Sequence, residues 1–187
     1  MANDISDQDR ARLLELARQA VLSAVTDGPR PRIAKPDGAL ALQRGCFVTL
    51  TNRGQLRGCI GTFRPYGLLG EQVIDMGIEA ARDPRFVYDA IGPSEVPRLS
   101  VAVSVLSELT PIANPLDIEL GVHGIYIIRG RSAGCFLPEV ATETGWSKEE
   151  FLAHCCAGKA GMAADAWKQP GTQVLIFTTE KFSDGPE

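Results

Sequence analysis

Leu56-Arg57-Gly58-Cys59-Ile60-Gly61-Thr62-Phe63 sets a cysteine two residues from an arginine and between two glycines. Preceded by the strand-like segment Cys46 to Thr51 and the tripeptide Asn52-Arg53-Gly54, it reads as the second strand of a hairpin. Strand alternation puts Leu56 and Ile60 on one face and Arg57, Cys59 and Gly61 on the other. Two glycines inside a strand forgo side-chain packing, which marks a place where something approaches the backbone closely.

Outward from the hairpin, helical and strand patterns are interspersed. Residues 6–25 repeat apolar positions at helical spacing (Leu13, Ala17, Ala20, Val21, Ala24) behind Ser6 and Asp9, which resemble a capping box. Prolines 29, 31 and 36 break the chain into a loop. A second helix is expected over 67–82, with Leu69, Val73, Met76 and Ala80 on one stripe, stopped by Asp83-Pro84. Residues 99–106 alternate as a half-buried strand. Residues 125–128 and 134–137 form a second hairpin, Ser147 and Glu150 cap a third helix, and 172–178 close as a buried strand. Helices and antiparallel hairpins without a βαβ rhythm give an α+β class.

With 187 residues, 44% hydrophobic and 22% charged, the chain suits one domain, with a core over about residues 10–182 and room for two subdomains. The net charge of −4 and the lack of a basic run argue against nucleic acid. No apolar run reaches the ~20 residues that span a bilayer, so no membrane partner is expected. Met1-Ala2-Asn3-Asp4 lacks the pattern of a secretory signal, and five cysteines, two adjacent at Cys155-Cys156, do not suit a disulfide scaffold; both point to the cytoplasm. Arginines gather at 53, 57, 64, 82 and 85, leaving a small anionic ligand or a peptide open beside plain solvation.

Six pieces in order then resemble the AMMECR1-domain family. They are the Leu56-to-Phe63 segment, Asp83-Pro84-Arg85-Phe86, Glu95-Val96-Pro97-Arg98-Leu99, Ser104-Val105-Leu106, Gly121-Val122-His123-Gly124-Ile125, and Leu137-Pro138-Glu139-Val140-Ala141 followed by Gly145-Trp146. Val87-Tyr88 stands where many relatives have prolines. The resemblance implies an antiparallel sheet packed by helices, with a smaller lobe. It also implies work beside Memo-like and radical SAM proteins in a three-part modification system, and a functional role for the glycine-cysteine segment.

Cys59 has two readings: a nucleophile favoured by the Arg57 guanidinium, or a small residue held between packed layers. Gly58 and Gly61 could present amides to an oxyanion or carboxylate. His123 is either an acid–base group or a turn histidine bonded to backbone. Glu139 is either its partner or a carboxylate favouring a helix N-terminus. Arg82, Asp83 and Arg85 form either a clamp in the same cleft or a loop salt bridge. His154-Cys155-Cys156 diverge around a helix and no ligand spacing occurs elsewhere, so no metal is expected. Without a P-loop or GxGxxG, no nucleotide cofactor is expected either. The leading expectation is a binding or accessory protein with a pocket at the hairpin. The alternative is a transferase or hydrolase using Cys59 as nucleophile and His123 as base.

Overall fold

The computed structural model describes residues 5–185, so Met1 to Asp4 and the reading made of them lie outside it. Helix α1 (Asp7–Thr26) starts where Ser6 Oγ accepts from the Asp9 amide at 3.2 Å, and it buries the five apolar residues its spacing singled out. Strands β1 (Cys46–Asn52) and β2 (Gln55–Thr62) follow. They are joined through Arg53 (φ 51°) and Gly54 (φ 76°), the two left-handed residues that a tight hairpin turn requires. Then come α2 (Leu69–Ala81) and β3 (Ser100–Leu106).

The second part of the chain holds β4 (Thr110–Pro111), β5 (Gly124–Arg129), β6 (Ser132–Phe136), α3 (Pro138–Thr144), α4 (Lys148–Gly158) and β7 (Gln173–Phe177). The capping box of Ser147 and Glu150 is formed at the start of α4. Strand β8 (Thr179–Ser183) comes last.

The chain divides into two compact units: the residues up to Leu106 with those from Glu180 onward, and Ser107–Thr179. The first carries the sheet β2-β1-β3-β8, with β1 antiparallel to both β2 and β3. Helices α1 and α2 supply Leu13, Ala17, Val21, Leu69 and Val73 to a core shared with Val48, Leu50, Val101 and Val103. The Arg10 guanidinium on α1 reaches Glu180 Oε1 on β8 at 2.7 Å. The second unit carries the antiparallel sheet β4-β7-β5-β6. Its core gathers Ile125, Ile127, Phe151, Leu152, Trp167 and Val174. The architecture is α+β with two antiparallel sheets and, among the described residues, four α-helices.

One sequence expectation fails at the hairpin. Leu50 pairs with Gly58 while Thr51 pairs with Leu56, so Arg57 is an extra residue in β2. Such a bulge inverts the alternation beyond it. Ile60, opposite Val48, faces the core, while Leu56, opposite Thr51, is 40% exposed. Arg57 and Gly58 both stand against Leu50 on the helix-covered side, and Cys59 pairs with Thr49 on the other.

Candidate functional site

Strand β2 lies at the outer edge of its sheet, so the groups of Cys59 that point away from β1 need partners from elsewhere. Asp83 and Arg85 provide them. The Cys59 amide donates to Asp83 Oδ2 at 3.0 Å, and Arg85 Nη2 donates to the Cys59 carbonyl at 3.1 Å. Asp83 is held in turn by Arg85, through Nη2 at 2.6 Å, Nε at 3.0 Å and the Arg85 amide at 3.0 Å. Pro84 begins the 3-10 turn Pro84–Phe86 that makes this geometry, with Asp83 as its cap. The Arg85 guanidinium, against the opposing effect of burial and helped by the two amides, holds the Asp83 carboxyl down at about 2.

Arg57 is spoken for by carboxylates. Its Nε donates to Glu95 Oε1 at 2.7 Å and Nη2 to Glu95 Oε2 at 3.2 Å; Nη1 donates to Asp89 Oδ2 at 2.6 Å. Asn52 Nδ2 adds a 3.0 Å bond to Glu95 Oε1. Arg57 holds Glu95 below the usual carboxylate range. The Phe86 ring lies 5.9 Å from the Arg57 guanidinium carbon and 5.7 Å from that of Arg85. Asn52, Asp89, Glu95 and Phe86 were absent from the sequence-derived site. The signal was a strand arginine beside a glycine, which, once buried, demands carboxylate partners.

Cys59 Sγ is 3.2 Å from Thr49 Oγ1, the side-chain partner the structure gives it. Gly58 and Gly61 are needed for packing: a Cβ at Gly58 would fall on the Ala80 carbonyl of α2, and one at Gly61 on the Phe47 ring. A cavity of about 480 Å³ opens beside the hairpin, walled by Val25, Ala81, Phe86, Val87 and Ile91 with Arg57, Arg82 and Asp83. The bulge brings Arg57 to this cavity, and Cys59 is not among its walls. Arg82 donates to the Ala24 carbonyl at 3.1 Å and reaches Asp27 at 3.4 Å.

The remaining site residues fall in the second unit. His123 closes a local turn: its Nδ1 accepts from the Glu119 amide at 3.0 Å, and its own amide donates to the Glu119 carbonyl at 2.8 Å. Glu139 sits in the first turn of α3, and its buried Oε2 has no hydrogen-bond partner among the described residues. Burial pushes the Cys135 thiol up to about 11 and the Cys155 and Cys156 thiols upward as well. Among the described residues no three His, Cys, Asp or Glu side chains gather as a metal-ligand set, and no helix is long and apolar enough to cross a membrane.

Comparison with known proteins agrees with this architecture. The AMMECR1 family model matches residues 14–182. Protein MK0488 of Methanopyrus kandleri is 36% identical over 98% of this chain and 92% of its own length. Protein TK0174 of Thermococcus kodakarensis is 39% identical over 96% and 92%. The crystal structure of the uncharacterized protein PH0010 from Pyrococcus horikoshii superposes with a TM-score of 0.83 at 36% identity, covering 97% of this chain and 96% of that one. The chain therefore belongs to the AMMECR1 family.

Proposed function

We propose that the protein is a cytoplasmic binding component of a modification system that includes Memo-like and radical SAM partners, with its recognition surface at the β1–β2 hairpin and the cavity beside it. The observation that carries this reading is how the hairpin's polar groups are used. Arg57 is paired with Glu95 and Asp89, the backbone of Cys59 with Asp83 and Arg85, and its thiol with Thr49. A nucleophile needs a base within hydrogen-bond reach; the polar groups given to Cys59 here hold it in place instead. The cavity, of about 480 Å³, is a concave feature next to that framework and lies within the size range of binding pockets.

The test is affinity capture of the tagged protein co-expressed with Memo-like and radical SAM proteins. A partner retained by the wild type and equally by Cys59→Ser supports the reading. The alternative, a transferase or hydrolase with Cys59 as nucleophile, His123 as base and Arg57 or Arg85 as anion clamp, requires that Cys59→Ala abolish a turnover the wild type performs. Failure to capture either protein overturns the assignment of these partners.

A further inference from the structure

Between two buried residues, Asp83 and Ile91, the chain crosses the surface as the strap 84–90. Val87 in it is 65% exposed, Tyr88 is fully exposed, and the Asp89 side chain is 79% exposed. The strap supplies Pro84, Phe86, Val87 and Ala90 to the walls of the cavity. Other walls belong to the helical framework: Ala24 and Val25 in the last turn of α1, and Ala81 at the end of α2. Moving the strap would therefore turn the cavity into an open groove along the two helix ends.

The strap is held unevenly. At its start, Asp83 and Arg85 are locked to each other and to the backbone of Cys59, and the Phe86 amide donates to the Asp83 carbonyl at 2.9 Å. Farther along, the hold comes from Arg57. Its Nη1 donates to Asp89 Oδ2 at 2.6 Å, its Nη2 to the Asp89 carbonyl at 2.9 Å, and its guanidinium carbon lies 5.9 Å from the centre of the Phe86 ring. The second carboxylate on Arg57, Glu95, takes Nε and Nη2 and is 16% exposed. An ion pair whose carboxylate stands in water is weak, whereas a buried cation stripped of its partners is costly. If Asp89 lets go, Arg57 keeps Glu95 and no buried charge is left alone. One carboxylate fixes the arginine and the other is free to be released.

We infer that residues 86–90 form a lid on this cavity, latched by Arg57 to Asp89 and lifting between the anchored Asp83–Arg85 turn and the buried Ile91. Lifting bares Val25 and Ala81 and frees Arg57 Nη1, so the lid decides when the cavity is open. Raised salt favours the lifted state, because the released carboxylate lies in solvent. The lid goes beyond the binding reading and does not depend on it: it is a property of this chain alone.

The experiment is limited chymotrypsin digestion of the full chain, with the cut sites read by mass spectrometry. Rates are taken relative to a short peptide of residues 84–91 under the same conditions, which removes the effect of salt and urea on the protease. Chymotrypsin needs an extended segment, so cleavage after Phe86 or Tyr88 reports a lifted lid. In the wild type it should proceed well below the urea midpoint of unfolding and change little with urea, since lifting the lid exposes little new surface. Asp89→Asn should speed it about threefold at an unchanged urea midpoint and remove most of its salt dependence. Asp27→Asn, which loosens Arg82 at the same cavity without touching the latch, should cleave at the wild-type rate. Cleavage that follows global unfolding across the urea range would make the strap a rigid wall and overturn the inference. So would an Asp89→Asn rate equal to the wild type, or one that rises only in proportion to a lowered urea midpoint. Capture of partner proteins plays no part in these readouts, so the lid and the binding role can fail separately.

Discussion

The Asp83 carboxylate stands 3.0 Å from the Cys59 amide nitrogen and takes the place that a neighbouring strand would occupy at the edge of β2. Asp83 is almost wholly buried, while Arg85, which returns a donor to the Cys59 carbonyl, is about half exposed. The pair closes an edge that would otherwise offer free backbone groups to another chain.

Because the Asp83 carboxyl is held at about 2 against an ordinary 3.8, its ionisation favours the folded state. That contribution, about 2 kcal/mol, is complete above pH 4 and is lost as pH falls through about 2. Asp83→Ala should therefore lower stability at pH 7 by at least that much, and the gap from wild type should shrink between pH 4 and pH 2. Urea unfolding followed at pH 7, 4 and 2.5 measures it. A gap that stays constant with pH would mean that the carboxylate's charge is not what stabilises this edge.

Gly58 lies where β2 runs under the end of α2, with the Ala80 carbonyl occupying the space of a side chain. Gly58→Ala must move backbone, and the expected cost is about 3 kcal/mol. Gly67, with open space around its Cβ direction and an ordinary φ, is the control. Gly67→Ala should unfold at the wild-type urea concentration. Equal stability of the two variants would show that α2 can shift without cost.

How far this was legible in the sequence depends on the range of the interaction. Ser6 as a cap, the buried stripe of α1, the turn at Arg53-Gly54 and the capping box of Ser147 are decided within a few residues, and the fold shows them as expected. The bulge is not local in that sense. One extra residue inverts which side chains share a face, and nothing in the composition of β2 announces it. Strand β8 reads Thr-Glu-Lys-Phe-Ser and takes its place through long-range contacts, its pairing with β3, the Arg10–Glu180 ion pair and Phe182 against the core. The partners of Arg57 lie 32 and 38 residues away, so the arginine was visible and its role was not.

Arg57 and Glu95 make a two-pronged contact that a lysine's point charge does not reproduce. Removing the guanidinium leaves Glu95, its side chain 16% exposed, without its main partner. Arg57→Ala should cost about 3 kcal/mol at pH 7. Arg57→Lys should recover only part of that, and Arg57→Ala combined with Glu95→Gln should lose less than Arg57→Ala alone. Since Arg57 lowers the Glu95 pKa, the effect of Arg57→Ala should fade as pH drops and Glu95 becomes protonated. Denaturant unfolding of the three variants decides it; an Arg57→Lys protein as stable as wild type would show that charge alone suffices.

The cysteines differ enough in burial to be ranked by reaction. Cys46, Cys155 and Cys156 are buried, and burial pushes the Cys46 thiol up to about 12. Cys135 is half-buried with its thiol raised to about 11, and Cys59 is half-buried beside Thr49. Native-state alkylation at pH 8, read residue by residue by mass spectrometry, should label Cys59 first and Cys135 more slowly, with the other three protected until the protein unfolds. Thr49→Val removes the hydroxyl beside the sulfur with little change of shape. If that bond merely seats the side chain, the variant should alkylate at Cys59 within about twofold of the wild-type rate. A rate that collapses in Thr49→Val would instead make the hydroxyl part of an activated thiol, and the enzyme reading would then overtake the binding one.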